Sequence, residues 1–349
     1  MKKHILFCLI LLVAPSQTAL AFESPGLGPD INLSPTAGQN ERPWKLWVRT
    51  FIGYDDNVQE IGRATFFRGD TASGFLGFTV EGSYQLLNEN DWIAGVALRF
   101  DQMLYFDDAQ SQAPAGFMTI DARDYNYTIV NPAVYVARRL NPQGPVPLIA
   151  RVVYDYRSES AQVLGGQYQT LTLGLGAQLS DAWSADIAYA HGWDDFHVLY
   201  PPFLPPQNME RDAERDSLTL AISYLFNQKR TRATLSYSLM RNDSEGQNWA
   251  YDGQAINLQV KTLLSGPLAL AVQLGYADRD YVGFAAPSPF TPPPGRRDLD
   301  IYSAGVQLLY KISPRWTADV FYNYSSIQSD IALFDSNRSI FGMGLRYDF

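Results

Sequence analysis

Cysteine is all but absent from this chain: the single one, Cys8, lies in an apolar run near the start. A disulfide framework and thiol chemistry are therefore excluded from everything downstream of that run. After Ala21 no stretch approaches the eighteen or so consecutive apolar residues that a membrane-crossing helix requires. Basic excess is missing too, with 27 Lys and Arg against 36 Asp and Glu. An acidic chain without a basic patch argues against a nucleic-acid partner. No Gly-x-Ser-x-Gly elbow occurs. The chain holds 3 histidines, two of them in the stretch His191-Gly-Trp-Asp194-Asp195-Phe-His197. That stretch could in principle bind a divalent cation or activate water, but a solvated acidic loop explains it as well. No catalytic residue, metal site or cofactor is assigned, and no enzymatic activity is expected.

What the chain does have begins at its two ends. Met1-Lys-Lys-His is basic, Ile5 to Ala14 is apolar, and Ala19-Leu20-Ala21 supplies the small-x-small pattern of a secretory cleavage site. Residues 1–21 are read as a signal peptide cut after Ala21. Losing Lys2 and Lys3 from the 27 basic residues leaves 25 against 36 acidic, a net charge of −11. Residues 22–43, rich in Pro, Gly, Ser and Asn, are read as a periplasmic leader.

At the other end, Phe341, Met343, Leu345, Tyr347 and Phe349 fall on every second residue, opposite Gly342, Gly344, Arg346 and Asp348. One face of this final strand is apolar and the other small or charged, as expected with lipid on one side and water on the other. The same five residues resemble the C-terminal signal by which barrel assembly machinery recognises outer-membrane proteins. That resemblance implies the machinery as a partner alongside outer-membrane lipid.

Between the ends the same alternation recurs. Segments near 44–54, 73–86, 91–106, 147–156, 168–179, 182–191, 216–226, 231–240, 254–264, 267–277, 299–311 and 315–326 each carry an apolar face. The segment near 122–138 is ambiguous, because both of its parities mix apolar and polar residues. With the tail these make fourteen. Tight links (Asn88 to Asp91, Ser180-Asp181, Asn227 to Arg230, Ser265-Gly266, Lys311 to Pro314) alternate with long ones near 55–71, 107–120, 157–166, 192–214, 241–252, 279–297 and 327–337. Aromatics are abundant, at 21 Tyr, 19 Phe and 7 Trp, as two interfacial girdles demand. The expected fold is all-β: a closed antiparallel transmembrane barrel over residues 44–349, with short periplasmic turns and long extracellular loops, in the outer membrane.

The opposite parity gives the candidate lumen wall: Lys45, Arg49, Glu81, Arg99, Asp101, Arg151, Asp155, Asp186, Lys261, Asp319 and Arg346. Arg232 joins it, with Thr79, Ser83, Ser217, Thr219, Ser223, Thr234, Ser236, Asn257 and Gln259. Such a wall is wettable. It suits a porin-like channel in which charged rows set selectivity for a transported solute, or else a ladder of ion pairs that fills the interior. Two proline-bearing loops, with Tyr200 to Pro206 and Ala286 to Pro294, are stiff and carry apolar residues that could cover the outer mouth or bind a partner.

The segments Phe51-Ile-Gly-Tyr-Asp-Asp-Asn-Val58 and Phe334-Asp-Ser-Asn-Arg338, with Arg296-Arg297-Asp298, resemble the barrel half of surface lipoprotein assembly modifier proteins. They are similar also to porin-like barrels encoded with exopolysaccharide genes. The resemblance implies lipoprotein translocation in the first case and saccharide or polysaccharide passage in the second. Assembly modifiers carry a helical-repeat domain before the barrel, and here only residues 22–43 stand in that place.

Overall fold

In the computed structural model, residues 43–58, 68–69, 72–106, 110–112, 119–161, 165–196, 212–246, 249–284, 296–330 and 335–349 are described. Alternation of apolar and polar residues makes strands, and strands exposing apolar side chains to lipid must pair every backbone group with a neighbour. The solution adopted is a closed antiparallel barrel of fourteen strands. They are β1 (Trp44–Asp55), β3 (Ser73–Glu89), β4 (Trp92–Tyr105), β7 (Tyr127–Leu140), β8 (Leu148–Ala161), β9 (Gly166–Gln178) and β10 (Trp183–Phe196). The circle continues with β11 (Ala213–Phe226), β12 (Thr231–Ser244), β13 (Tyr251–Ser265), β14 (Leu268–Phe284), β15 (Arg296–Lys311), β16 (Trp316–Ser329) and β17 (Ser336–Asp348). It closes where β1 pairs with β17, from Trp47 opposite Asp348 to Asp55 opposite Ile340.

Three short strands lie outside this ring. β2 (Arg68–Gly69), β5 (Gln110–Gln112) and β6 (Thr119–Asp121) form a small sheet of order β2-β5-β6. It ties the first outer connection to the second. No helix of the described residues is long and apolar enough to cross a membrane; the crossing is done by strands.

The outward parity carries the large exposed apolar side chains, among them Ile52, Leu98, Val134, Leu220, Leu239, Leu274, Val320 and Met343. Aromatic girdles border this band. Trp183 stacks on Tyr224 at 4.3 Å and Trp316 meets Tyr347 at 4.7 Å near the short turns. Near the long connections, girdle tyrosines hand their hydroxyls to polar rim groups: Tyr237 to Gln254 at 2.6 Å and Tyr276 to Asp300 at 2.7 Å. The ten residue steps from Trp183 to Trp193 span about 33 Å of strand, or about 25 Å of height at the usual tilt, which matches the apolar band of a bilayer.

Several of the tight links are built on left-handed residues. Asn90 and Asp91 have φ of 49° and 66°, and Gly266 has φ 47°. Two successive positive-φ residues make the hairpin whose twist suits the flanking strands. At the opposite end the strands run further than apolar alternation indicated. β8 extends to Ala161 and β9 starts at Gly166, so the connection expected near 157–166 shrinks to 162–165. Likewise β10 and β11 take in 192–196 and 213–214. The strands outrun the lipid there, where nothing demands an apolar face.

The ambiguous segment near 122–138 is corrected most. Its first residues form a short 3-10 helix, Ala122–Tyr125, and the strand is β7 from Tyr127 to Leu140. Ala122 is fully buried and Tyr125 packs with it against the inner wall, so these residues turn into the barrel and do not continue a strand. Of the signal peptide and leader expected over residues 1–43, all but Pro43 lie outside the described residues.

Candidate functional site: the lumen wall

The β-strand period of two decides which side chains face inward. On that parity lie Lys45 and Arg49 of β1, Glu81 of β3, Arg99 and Asp101 of β4, Arg151 and Asp155 of β8, Asp186 of β10, Lys261 of β13, Asp319 of β16 and Arg346 of β17. They do not form one uniform ring. Most are locked to one another, either over an intervening strand or along a single one.

Arg49 grips Asp319 with two bonds, Nε to Oδ1 at 3.1 Å and Nη2 to Oδ2 at 2.6 Å, while Gln307 donates to the same carboxylate at 3.1 Å. Its guanidinium lies 4.8 Å from the Phe51 ring centre. Arg151 holds Asp186 in the same forked way, at 2.5 and 2.7 Å. Such forks need flat room beside the backbone. A Cβ on Gly344 would come within 2.8 Å of Asp319 Oδ1, and one on Gly174 within 2.6 Å of the Arg151 guanidinium carbon. Arg99 bonds Asp101 at 2.7 Å and approaches Glu81 at 3.7 Å, and Thr79 donates to Asp101 at 2.7 Å. Further along, Arg157 pairs with Glu159 at 2.7 Å, Arg215 with Asp194 at 2.5 Å, and Arg346 with Asp348 at 2.6 Å. Asp155 accepts a long bond from Asn131 at 3.4 Å.

The inner wall also holds an apolar cluster that parity reasoning missed, because it took the inward face to be polar throughout. Phe75, Met103, Tyr105, Phe321, Ile340, Val58 and Ala122 are buried together, with Phe51, Tyr125 and Tyr127 against them. Gly53, Gly77 and Gly342 make room for these rings: a Cβ on Gly77 would sit 2.0 Å from the Phe51 ring. Those glycines, on the inward parity opposite phenylalanines, were the sequence signal.

At the edge of this cluster the barrel is closed by a buried ion pair. Arg338 reaches Asp55 with Nε at 3.0 Å and Nη2 at 2.5 Å, and Tyr105 Oη donates to the same carboxylate at 3.1 Å. Asp55 is 0% exposed and Arg338 7%. Beside it Asn57 donates to the Asn337 carbonyl at 2.8 Å, and the Ser339 amide to Asp56 at 2.6 Å. The two segments that carried the family resemblance therefore meet in space, as the two halves of the closing seam.

The inward side of β11 to β14 is different. At mid-height it offers Thr219, Ala221, Ser223, Thr234, Ser236, Ser238, Asn257, Gln259, Gln273 and Gly275, half-exposed and without charge. Hydroxyls pair across strands, Thr219 with Ser238 at 2.9 Å and Ser223 with Thr234 at 2.8 Å. Toward the short turns stand Arg232 and Lys261, directly opposite each other on β12 and β13 and both exposed. Among the described residues neither side chain has a carboxylate partner.

The His191–Asp194 stretch does not converge. His191 faces outward and bonds Asp216 at 2.9 Å, whereas Asp194 faces inward on Arg215. His197 lies outside the described residues, as do the rest of 197–211 and all of 285–295, which hold the proline-rich parts of the two loops expected to be stiff.

A closed barrel with a lipid-facing apolar band, two aromatic girdles and a polar interior is a transmembrane β-barrel of the outer-membrane type. The chain matches the Gram-negative porin family over residues 30–329 and belongs to it. Membership places it in the outer membrane, in a family of porins and not of enzymes. Among curated proteins no sequence matches significantly. Solved barrels resemble it in fold alone. The monoaromatic hydrocarbon channel TodX in a deltaS2 mutant is 12% identical over 87% of this chain and 89% of its own, with a TM-score of 0.51. The Pseudomonas putida toluene transporter TodX is 12% identical, covering 87% and 88%, with a TM-score of 0.44. An anion-selective porin from Comamonas acidovorans is 9% identical, covering 88% and 98%, with a TM-score of 0.43.

Proposed function

We propose that this protein is a passive channel for small hydrophilic solutes, and that small anions pass it more readily than cations. The observation that carries the reading is the mismatch on the inner wall. Its carboxylates are engaged by arginines or amides, whereas Arg232 and Lys261 remain exposed and uncompensated at the short-turn mouth. A unit charge about 4 Å from another gains about 1 kcal/mol even in bulk water, which is roughly a fivefold local enrichment of the counter-ion. Charged residues at a pore mouth set selectivity in this way without closing the path. Saccharides fit the same wall, since its mid-height hydroxyls and amides can exchange hydrogen bonds with sugar hydroxyls and their water.

Single-channel recording in planar bilayers under a potassium chloride gradient tests the reading. The expected result is ohmic conductance with a reversal potential favouring chloride, and a shift toward no preference in R232Q/K261Q. A folded barrel that passes no current refutes the channel. Lipoprotein translocation gains nothing from the residues that suggested it, because Asp55, Asn57 and Arg338 are already occupied in closing the seam.

A further inference from the structure

The inner wall divides around its circumference. The strands that flank the seam, together with β7 to β10, carry the long side chains: forked arginines, phenylalanines and tyrosines packed against neighbours. Mid-wall residues there are shut off from water, with Thr79 4%, Thr172 4%, Ala133 3% and Ala188 7% exposed. The second outer connection adds to this side, since Ala122 and Tyr125 pack onto the Phe75–Phe321 cluster. On β11 to β14 the mid-wall side chains are short, uncharged and wetted. In strand order, β11 and β12 stand half a turn from the β1–β17 seam. The open stretch therefore faces β1, β3, β4 and β7 across the lumen.

We infer that solutes cross this barrel off its axis, along a lane of Ser236, Asn257, Gln259, Gln273 and their neighbours on β11 to β14. The charged pairs of the filled strands stiffen the wall and do not touch the solute. This rests on the channel reading above and specifies its contact surface. The chemistry supports it in two ways. A forked Arg–carboxylate pair has its donors and acceptors already satisfied, so a passing solute gains little from it. Hydroxyl and amide side chains in contact with water exchange partners freely, so a solute can replace that water step by step. The lane thus selects for polar, hydrogen-bonding solutes able to shed part of their hydration against hydroxyls.

Single cysteines placed by mid-wall substitution in the full chain, with Cys8→Ser as background, test the assignment. Ser236→Cys and Asn257→Cys probe the lane; Thr172→Cys and Ala188→Cys probe the filled wall that adjoins it, on β9 and β10. Each folded barrel is reconstituted, and its single-channel conductance is followed as a methanethiosulfonate reagent is added. The lane variants should lose a large part of their conductance, while the two controls keep theirs. Equal block at Thr172→Cys and Ser236→Cys, or conducting lane variants that the reagent leaves unchanged, would overturn the lane but leave the channel standing. Wild-type protein that folds and passes no current would overturn the channel reading, and the lane with it.

Discussion

Replacing Arg338 by Met should cost the barrel about 3 kcal/mol, and replacing Asp55 as well should return much of that loss. The reasoning starts from burial. Asp55 is 0% and Arg338 7% exposed, so each charge depends on the other for compensation. Removing one member of such a pair usually costs about 3–5 kcal/mol because a charge is stranded. Here the lower end applies. Asp55 keeps the Tyr105 hydroxyl at 3.1 Å and the Asn57 amide at 3.1 Å when the arginine is gone. In D55N/R338M no buried charge is left, so the double variant should be more stable than R338M alone. The two changes should then couple by about 2 kcal/mol, in line with residues of one network. Tyr105→Phe, which removes one neutral donor to a charged group, should cost about 1.5 kcal/mol. Urea unfolding in lipid vesicles, followed by tryptophan fluorescence and by boiling-dependent gel migration, measures R338M, D55N, D55N/R338M and Y105F. Additive effects of the two substitutions, with coupling within about 0.5 kcal/mol of zero, would refute the claim that this pair closes the seam.

Other positions give independent checks. Gly344→Val should displace the Arg49–Asp319 fork, since even a Cβ falls 2.8 Å from Asp319 Oδ1, and should lower the unfolding midpoint more than Gly266→Ala in an open turn. Gly77→Leu should prevent folding or force Phe51 out of the inner cluster, visible as lost heat-modifiable protein. Deleting Phe349, or Phe349→Ser, should reduce folded protein in the outer membrane without altering the conductance of what does assemble. Wild-type yield would remove the terminal aromatic from the assembly signal.

Much of this architecture could be read from the chain because a lipid-spanning strand obeys a rule with little latitude. Leu171, Leu173, Leu175 and Ala177 of β9 or Ile256, Leu258 and Val260 of β13 leave no doubt about which face meets lipid. The strand β7 resisted the same rule for a physical reason. Its inward residues Tyr135 and Ala137 pack with Ile93, Ile149 and Val153, and Ala133 is buried as well, so the inner face is apolar there too. On the outward side, Arg138 lies 5.1 Å from the ring of Trp92, a cation held at the interface. Both parities then carry mixed chemistry. The strand ends at the outer rim were illegible for another reason: beyond the bilayer neither face needs to be apolar, so 192–196 and 157–161 carry no alternating signal. Parity also placed each candidate wall residue on a face, but could not say which would pair. That depends on inter-strand register, which brings Arg49 beside Asp319 across 270 positions of chain.

The distribution of filling and opening around the ring follows from how a barrel must close. β1 and β17 come together only after the whole chain has been laid down, and among the barrel pairings theirs alone joins strands from the two ends of the chain. It is there that the structure concentrates long inward side chains, the Phe51, Phe75 and Phe321 edge-on contacts at 6.1 and 6.2 Å, and the buried Asp55–Arg338 pair. β11 and β12 are joined by the hairpin at 227–230, β13 and β14 by that at 266–267, and all four lie away from the junction. Their inner face is free to carry short hydroxyl and amide groups, leaving space for water. Moving the bulky residues to the other side would leave a junction held by backbone bonds alone. Exchanging Ser236 and Gln259 for Phe should therefore narrow the passage while leaving the urea midpoint nearly unchanged. An equal loss of stability and conductance in that double variant would show that the open half, too, supports the barrel.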